Sequence, residues 1–210
     1  MIRIIKDFVQ RIFNQIFSKK KTFKLGLYGP TNGGKSTLAN RITQDWIGKK
    51  MSAVSHIPHE TREVHVKEQI VIKNKNKELT FNLIDTPGIA TKIDYEDFMK
   101  YKLSKKKSKQ RAKEATRGVV EAIQWLDDVD VVMVVLDATE NPYSQVNITI
   151  IGNLVARKIP LLVVGNKIDL RKARLKKIES AFPQYDVVGV SALKGTNMEE
   201  LYESLFRIAK

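Results

Sequence analysis

The stretch FKLGLYGPTNGGKSTL, residues 23–38, decides the fold of this 210-residue chain. Residues 23–28 form a short, mostly apolar run that is followed by Gly29, and residues 37–39 read as the start of a helix. The loop between them closes with Gly34-Lys35-Ser36 and fits the pattern Gly-x4-Gly-Lys-Ser/Thr. A strand, a glycine-rich loop and a helix in this order present backbone N–H groups and the positive end of the helix dipole to a polyphosphate. The stretch therefore predicts a phosphate-binding loop.

Nine residues of this segment are predicted to contact the phosphates of a nucleotide: Gly29, Pro30, Thr31, Asn32, Gly33, Gly34, Lys35, Ser36 and Thr37. Lys35 is placed to reach the β- and γ-phosphates, and Ser36 is placed to ligate Mg²⁺. A glycine-rich turn without a ligand is the alternative, but chains of ordinary composition rarely contain the full pattern.

A second motif, Asp85-Thr86-Pro87-Gly88, follows the apolar run Leu79–Ile84. That run is predicted to form a hairpin with the alternating stretch 63–73. An aspartate that ends a buried strand opposite a phosphate loop is placed to hold Mg²⁺ through water, and the N–H of Gly88 can approach the γ-phosphate because no Cβ blocks it. The four residues alone indicate only a turn; their position after a phosphate loop makes them informative.

A third motif, Asn166-Lys167-Ile168-Asp169, predicts recognition of guanine. The Asp169 carboxylate can accept hydrogen bonds from guanine N1–H and the 2-amino group, whereas adenine has an acceptor at N1 and no 2-amino group. Asn166 can meet the N7/O6 edge, and the stem of Lys167 can cover the ring. The loop Ser191-Ala192-Leu193, after the last predicted strand, can supply backbone N–H groups to O6.

Strands and helices alternate along the rest of the chain. Further strands are predicted at 131–136, 161–165 and 186–190, and helices at 35–46, 144–157, 171–181 and 197–209, with a helical apolar stripe at 112–126. This order predicts an α/β fold: a doubly wound, mostly parallel six-stranded sheet with one antiparallel edge strand and its ligands at the carboxyl edge.

The formal net charge of +14 is concentrated in two segments. Residues 1–24 have seven basic side chains and one acidic side chain, and residues 99–117 have nine and one, so the rest of the chain balances at 21 against 21. Two concentrated basic segments indicate anionic partners. The predicted division is a basic amphipathic N-terminal helix over 1–22 and a nucleotide-binding domain over 23–210, with a basic insertion at about 89–117.

The apolar positions of residues 1–17 recur with a helical period beside a basic polar face. Three interpretations stay open: the helix packs on the domain or on a second copy, lies in an anionic membrane surface, or docks in a partner's groove. No apolar run approaches the length of a membrane span. The chain has no cysteine, which excludes disulfides and thiolate metal sites, and its histidines, His56, His59 and His65, read as surface residues rather than as a metal site.

The ordered set GPTNGGKS, DTPG, NKID and SAL resembles the translation-factor-related GTPases and is most similar to the Era/TrmE/EngA group. The resemblance covers about residues 23–209 and implies a P-loop fold and Mg²⁺-dependent hydrolysis of GTP. Pro58-His59-Glu60-Thr61-Arg62 resembles the group's P-x-x-T-R loop, which implies that Thr61 is a second protein ligand of Mg²⁺. Among the functional residues so identified, Lys35, Thr61, Gly88 and Asn32 are the ones expected to act in catalysis.

Two positions refine the expected mechanism. Ile89 follows the second motif where Ras-type proteins carry a glutamine that orients water, so hydrolysis must recruit its catalytic group elsewhere. Asn32 stands where the resemblance implies an asparagine that ligates K⁺ between the phosphates; the alternative is that it braces the loop. Thr31 and Gly33 depart from the group's pattern, which usually has proline and a bulkier residue there.

Three roles are compatible with these features. The first is a GTP-dependent switch whose basic segment 99–117 binds RNA, with ribosomal RNA as the first candidate. The second is a switch at a membrane surface that uses the 1–17 helix, and the third is a switch that binds an acidic protein or its own copy; K⁺-dependent relatives often dimerise across the nucleotide face. A solvated basic loop without a partner is the plain alternative.

Era carries an RNA-binding KH domain, which is not expected here because the sequence stops at Lys210. A cytoplasmic location is expected.

Overall fold

The computed structural model describes residues 22–48, 64–74, 77–88, 120 and 122–208. The predictions for the 1–17 helix, for Thr61 and Ile89, for His56 and His59 and for the basic segment 99–117 lie outside the described residues.

The described elements alternate along the chain as predicted. The strands are β1 (Thr22–Tyr28), β2 (His65–Asn74), β3 (Lys77–Asp85), β4 (Val131–Asp137), β5 (Leu161–Asn166) and β6 (Val187–Gly189). The helices are α1 (Lys35–Ile47), α2 (Gln145–Ala156), α3 (Leu175–Ala181) and α4 (Met198–Ile208), and a helical stretch ends in a 3-10 turn at Trp125–Asp128.

The strands form one six-stranded sheet in the order β2-β3-β1-β4-β5-β6. β2 pairs antiparallel with β3, and the other neighbours run parallel. The predicted α/β class, with a doubly wound sheet and one antiparallel edge strand, is confirmed. After β1 the chain builds outward on one side through β3 and then on the other side through β4, so a crevice opens at the carboxyl end of β1, where such sheets bind ligands.

The central strands are buried on both faces because helices cover both sides of the sheet. Residues 131–136 of β4 are all buried, and alternate side chains enter two different cores. Val131, Met133 and Val135 pack with α1 and α4, whereas the intervening residues pack with α2, α3 and the 3-10 turn. The unbroken apolar sequence of this strand is therefore explained by its central place.

The helix predicted over 171–181 is shorter than expected, because α3 begins only at Leu175. The N–H of Arg174 donates to the carbonyl of Ala138, just beyond β4, at 2.7 Å. The N–H groups of Leu170 and Ala173 close tight turns instead. The segment before Leu175 is therefore hydrogen-bonded to the end of β4. This tertiary contact outweighs the helix propensity of its residues.

In the part of the chain that the structure describes, no helix is long and apolar enough to cross a membrane.

Candidate nucleotide-binding site

The predicted phosphate loop joins β1 to α1 at the carboxyl edge of the sheet. Gly34, the residue before α1, has a φ of 91°, and a Cβ there would lie 2.1 Å from Asn166 Nδ2. Only glycine fits this position, because the left-handed backbone and the close amide both exclude a side chain. The helix therefore begins without a side-chain cap from Gly34, which leaves its first N–H groups for an anion.

Lys35 lies buried beneath this loop. Its Nζ donates to the carbonyl oxygens of Gly29 at 3.3 Å and Pro30 at 3.0 Å. Burial lowers the pKa of Lys35 to about 8, and the carboxylate of Asp85 opposes this shift. The ammonium group is thus held within the loop, and a phosphate oxygen would offer it a stronger, charged partner.

The Asp85–Gly88 motif lies directly against the phosphate loop. Asp85 ends β3, is fully buried and lies beside Leu27 of β1 in the parallel register. The hydroxyl of Thr86 donates to the carbonyl of Leu27 at 2.6 Å, which fixes the motif to β1. A Cβ on Gly88 would lie 2.7 Å from the Cα of Thr31, so the two loops touch through backbone.

Asn166 connects three segments of the site with one amide side chain. Its Nδ2 donates to the carbonyl of Gly33 at 3.1 Å. Its Oδ1 accepts from the N–H of Lys167 at 2.8 Å and from the N–H of Ala192 at 3.0 Å. The phosphate loop, the third motif and the Ser191–Leu193 loop are therefore held together by this buried residue.

Lys167 and Asp169 of the third motif differ in their surroundings. Lys167 has a φ of 66° and its Nζ pairs with Asp137 Oδ2 at 2.5 Å. Asp137 is held in turn by the N–H and hydroxyl of Thr139, at 2.8 and 2.7 Å. Asp169 is exposed at the end of the motif, where its carboxylate is free to meet solvent or a ligand.

The Ser191–Leu193 loop is a tight turn. The backbones of Ser191 and Thr196 exchange two hydrogen bonds of 3.1 Å, and Ser191 Oγ accepts from the N–H of Lys194. Ala192 is buried, whereas the side chain of Leu193 is 69% exposed. The turn is thus held by its own backbone and by the hydroxyl of Ser191.

The structure brings together the predicted residues of all four segments: 29–37, 85–88, 166–169 and 191–193. Two contributors were missed. Asp137 ends a buried strand, the same signal that identified Asp85, so the sequence could have suggested it. Arg41, which contacts the Ser191–Leu193 loop, follows the phosphate loop on α1 without any motif that marks it.

Residues 24–167 match the protein-family model described as 50S ribosome-binding GTPase, and this range is more than half of the chain. The chain belongs to this GTPase family. The resemblance inferred from the four motifs is therefore confirmed.

Relatives of this chain include Era, Der and MnmE proteins. It is 30% identical to GTPase Era of Carboxydothermus hydrogenoformans over 88% of the chain and 54% of that protein. It is 28% identical to GTPase Der of Marinomonas sp. over 97% of the chain and 42% of that protein. It is also 28% identical to the tRNA modification GTPase MnmE of Thermotoga petrophila, over 88% of the chain and 35% of that protein. The chain thus spans about a third to just over half the length of these relatives.

Two solved Era structures resemble this chain, each with a TM-score of 0.68 and 26% sequence identity. One is a variant of Aquifex aeolicus Era bound to GDP and AlF₄⁻, matched over 90% of the chain and 57% of that structure. The other is Era in complex with MgGDPNP and nucleotides 1506–1542 of 16S ribosomal RNA, matched over 89% and 56%.

The family implies a magnesium ion, and the described residues fit one. Ser36 supplies a hydroxyl at the start of α1 and Asp85 a buried carboxylate, which are the hard oxygen donors that Mg²⁺ prefers beside phosphate. Asn32 is exposed in the phosphate loop and has a φ of 60°.

Proposed function

We propose that the chain is a switch that binds GTP and hydrolyses it to GDP and phosphate. The observation that supports this most directly is the Asn166 amide, which joins the phosphate loop to both base-side segments. A ligand that fits this crevice has phosphates at one end and a purine at the other, which is the chemistry of a nucleotide.

The phosphate end is organised for a highly charged ligand. The first N–H groups of α1 point at the phosphates, and Lys35 exchanges its contacts with the Gly29 and Pro30 carbonyls for phosphate oxygens. Ser36, Asp85 and Thr61 would hold Mg²⁺. When bound, Mg²⁺ supplies positive charge beside the β- and γ-phosphate oxygens. The Gly88 N–H donates to the γ-phosphate and so senses whether it is present.

Selection of guanine rests on the Asp169 carboxylate. An Asp169→Asn variant replaces one acceptor by a donor, so it should favour xanthine, which has an oxygen in place of the 2-amino group. We expect the wild type to bind fluorescent GDP with Mg²⁺ and not to bind ADP. We expect the variant to prefer xanthosine diphosphate. Glu179→Gln, an exposed carboxylate on α3, is the matched control. Equal binding of GDP and ADP by the wild type would refute the proposed function.

Hydrolysis is proposed to use K⁺ at Asn32. A monovalent cation between the phosphates supplies the charge stabilisation that an arginine finger supplies elsewhere. Turnover of GTP should be faster in KCl than in NaCl for the wild type, and Asn32→Ala should remove the difference while GDP affinity changes little. Equal wild-type rates in the two salts would contradict this role.

The proposed partner is RNA, through the basic segment 99–117. The segment has a net charge of +8 and follows Gly88 closely in sequence, so contacts with the γ-phosphate can order it. The similar Era structure with a 16S ribosomal RNA fragment supports a ribosomal target. Cosedimentation with ribosomal subunits should be stronger with a GTP analogue than with GDP, and should weaken steeply as salt rises.

A membrane surface is the second candidate, favoured by the apolar stripe and basic face of residues 1–17. Flotation with anionic vesicles, with and without residues 1–20, separates the two. Vesicle binding that requires these residues, together with no response of ribosome binding to nucleotide, would replace the RNA proposal. If both assays are negative, an acidic protein or a second copy becomes the expected partner, acting in the cytoplasm.

A further inference from the structure

Arg41 connects the helix that begins at the phosphate loop to the loop that faces the base. It lies on α1, six residues after Lys35. Its Nε donates to the carbonyl of Ala192 at 3.1 Å, and its Nη2 donates to the carbonyl of Leu193 at 3.0 Å. The planar guanidinium group therefore holds two successive carbonyls of the base-side turn, a geometry that lysine cannot reproduce.

The guanidinium group is itself held in place by its surroundings. Arg41 pairs with Asp45 one turn further along α1 at 3.6 Å, and Asp45 Oδ2 accepts from the hydroxyl of Tyr202 on α4 at 2.7 Å. On the other side, a Cβ added to Gly195 would lie 3.2 Å from Arg41 Cζ, so the turn packs closely on the charged group. The contact is thus fixed by its neighbours and is not a loose surface ion pair.

The contact bears on a particular N–H group. The carbonyl of Ala192 belongs to the same peptide plane as the N–H of Leu193, so holding one fixes the direction of the other. The N–H of Ala192 already donates to Asn166 Oδ1 at 3.0 Å. The Leu193 N–H is therefore the donor that this turn presents to a base, and a charged donor on the carbonyl strengthens it by polarising the peptide.

We propose that Arg41 is a positioning residue for guanine, which orients the Leu193 N–H towards O6 and links that orientation to the phosphate loop through α1. The proposal rests on the proposed function, because it assumes that guanine lies in this crevice. It predicts that Arg41 slows nucleotide release, and that loss of Arg41 weakens contacts with the base more than contacts with the phosphates.

The test compares a ligand that has a base with one that has none. Arg41→Ala should weaken GDP binding about tenfold, mainly through faster dissociation, because hydrogen bonds from a charged donor are lost. Its affinity for inorganic tripolyphosphate, measured by competition with fluorescent GDP, should stay within about twofold of wild type. Arg41→Lys, with one donor group in place of the fork, should recover only part of the GDP affinity. Gln44→Ala, an exposed residue on the same helix, should match the wild type for both ligands.

The possible results separate the explanations. Unchanged GDP affinity in Arg41→Ala would overturn the proposal, and so would an equal loss for GDP and tripolyphosphate, which indicates a general disturbance of α1. If Arg41→Ala does not fold, Arg41→Gln keeps part of the side chain but has a single, shorter donor group that cannot hold both carbonyls. Loss of GDP affinity with tripolyphosphate binding retained then supports the proposal, and unchanged GDP affinity overturns it. A wild type that does not prefer GDP over ADP would instead refute the nucleotide site itself.

Discussion

Asn166 shows how a motif residue can act on the protein before it acts on a ligand. The sequence predicts that its amide meets the base, whereas the structure directs three of its hydrogen bonds to the protein's own backbone. The amide nitrogen has two hydrogens, and only one of them donates to Gly33. A contact between the second hydrogen and the base stays a prediction. The residue first assembles the crevice that the base would enter.

The titration of Lys35 gives a prediction at the same scale. Burial lowers its pKa from 10.5 to about 8, and bound phosphate would raise the pKa again because it favours the charged form. Affinity for GDP should therefore fall above pH 8, by up to about tenfold per pH unit. The free energy of unfolding of the ligand-free protein should instead rise as the pH increases from 8 to 10.5, because in this range the unfolded chain binds more protons than the folded one.

Fluorescent GDP titrations between pH 7 and 9 measure this effect. Lys35→Arg is the control, since a guanidinium group does not titrate in this range and its weaker affinity should stay flat. A wild-type affinity that is also flat with pH would contradict the assigned shift.

The site residues that belong to a sequence motif could be predicted, whereas those placed by contacts between distant parts of the chain could not. The glycines, Lys35 and Asp85 follow from local chemistry at strand ends. Arg41 contacts Ala192 from 151 positions away, and no local pattern encodes such a pair. The partner of Lys167, Asp137, lies 30 positions away and depends on the parallel pairing of β4 with β5.

Helices α1 and α4 are joined on one face of the sheet by Tyr202. Its hydroxyl donates to Asp45, and its ring meets Trp46 edge-on with centroids 5.4 Å apart. Burial and the Asp45 carboxylate raise the pKa of Tyr202 well above its usual range, so the hydroxyl stays protonated. Tyr202→Phe should reduce the free energy of unfolding by about 1–2 kcal/mol in urea titrations, because the ring stays and only the hydrogen bond is lost. Tyr143→Phe, an exposed tyrosine, should change it by less than about 0.5 kcal/mol.

Helix α2 offers a stabilising substitution. Gly152 lies within the helix, and a Cβ there would meet nothing within 4 Å. Gly152→Ala should therefore raise the free energy of unfolding by about 0.5–1 kcal/mol, because alanine restricts the unfolded chain and fits the helix. Gly88→Ala is the contrasting variant, since its Cβ would lie 2.7 Å from Thr31 Cα and should destabilise the loops. A lower free energy of unfolding for Gly152→Ala would contradict the open space that the structure shows around Gly152.

Elements with strong apolar patterns were predicted well, and their boundaries less well. The buried run of β4 and the phosphate-loop helix appear where periodicity places them. The start of α3 does not, because the Arg174 to Ala138 hydrogen bond holds residues that composition alone would make helical. β6 is likewise shorter than its apolar run, since only Val187–Gly189 pair with β5.

Over the whole molecule, the crevice joins both halves of the sheet, so ligand binding should stabilise the fold as one unit. GDP at a hundred times its Kd should add about 2.7 kcal/mol, which corresponds to a rise in Tm of about 5–10 °C for a domain of this size. ADP at the same concentration should leave Tm unchanged. The same shift with both nucleotides would contradict the selection of guanine.

The distance along the chain between the parts of the crevice has a consequence for biosynthesis. Gly33 meets Asn166 across 133 positions, and Arg41 meets Ala192 across 151. At about 5–20 residues per second, translation needs roughly 8–30 s to pass from Arg41 to Ala192. The phosphate loop is therefore synthesised long before the Asn166 and Ser191–Leu193 segments that complete the crevice. Under the proposed function, GTP can assist the maturation of this protein only after most of the polypeptide has been made.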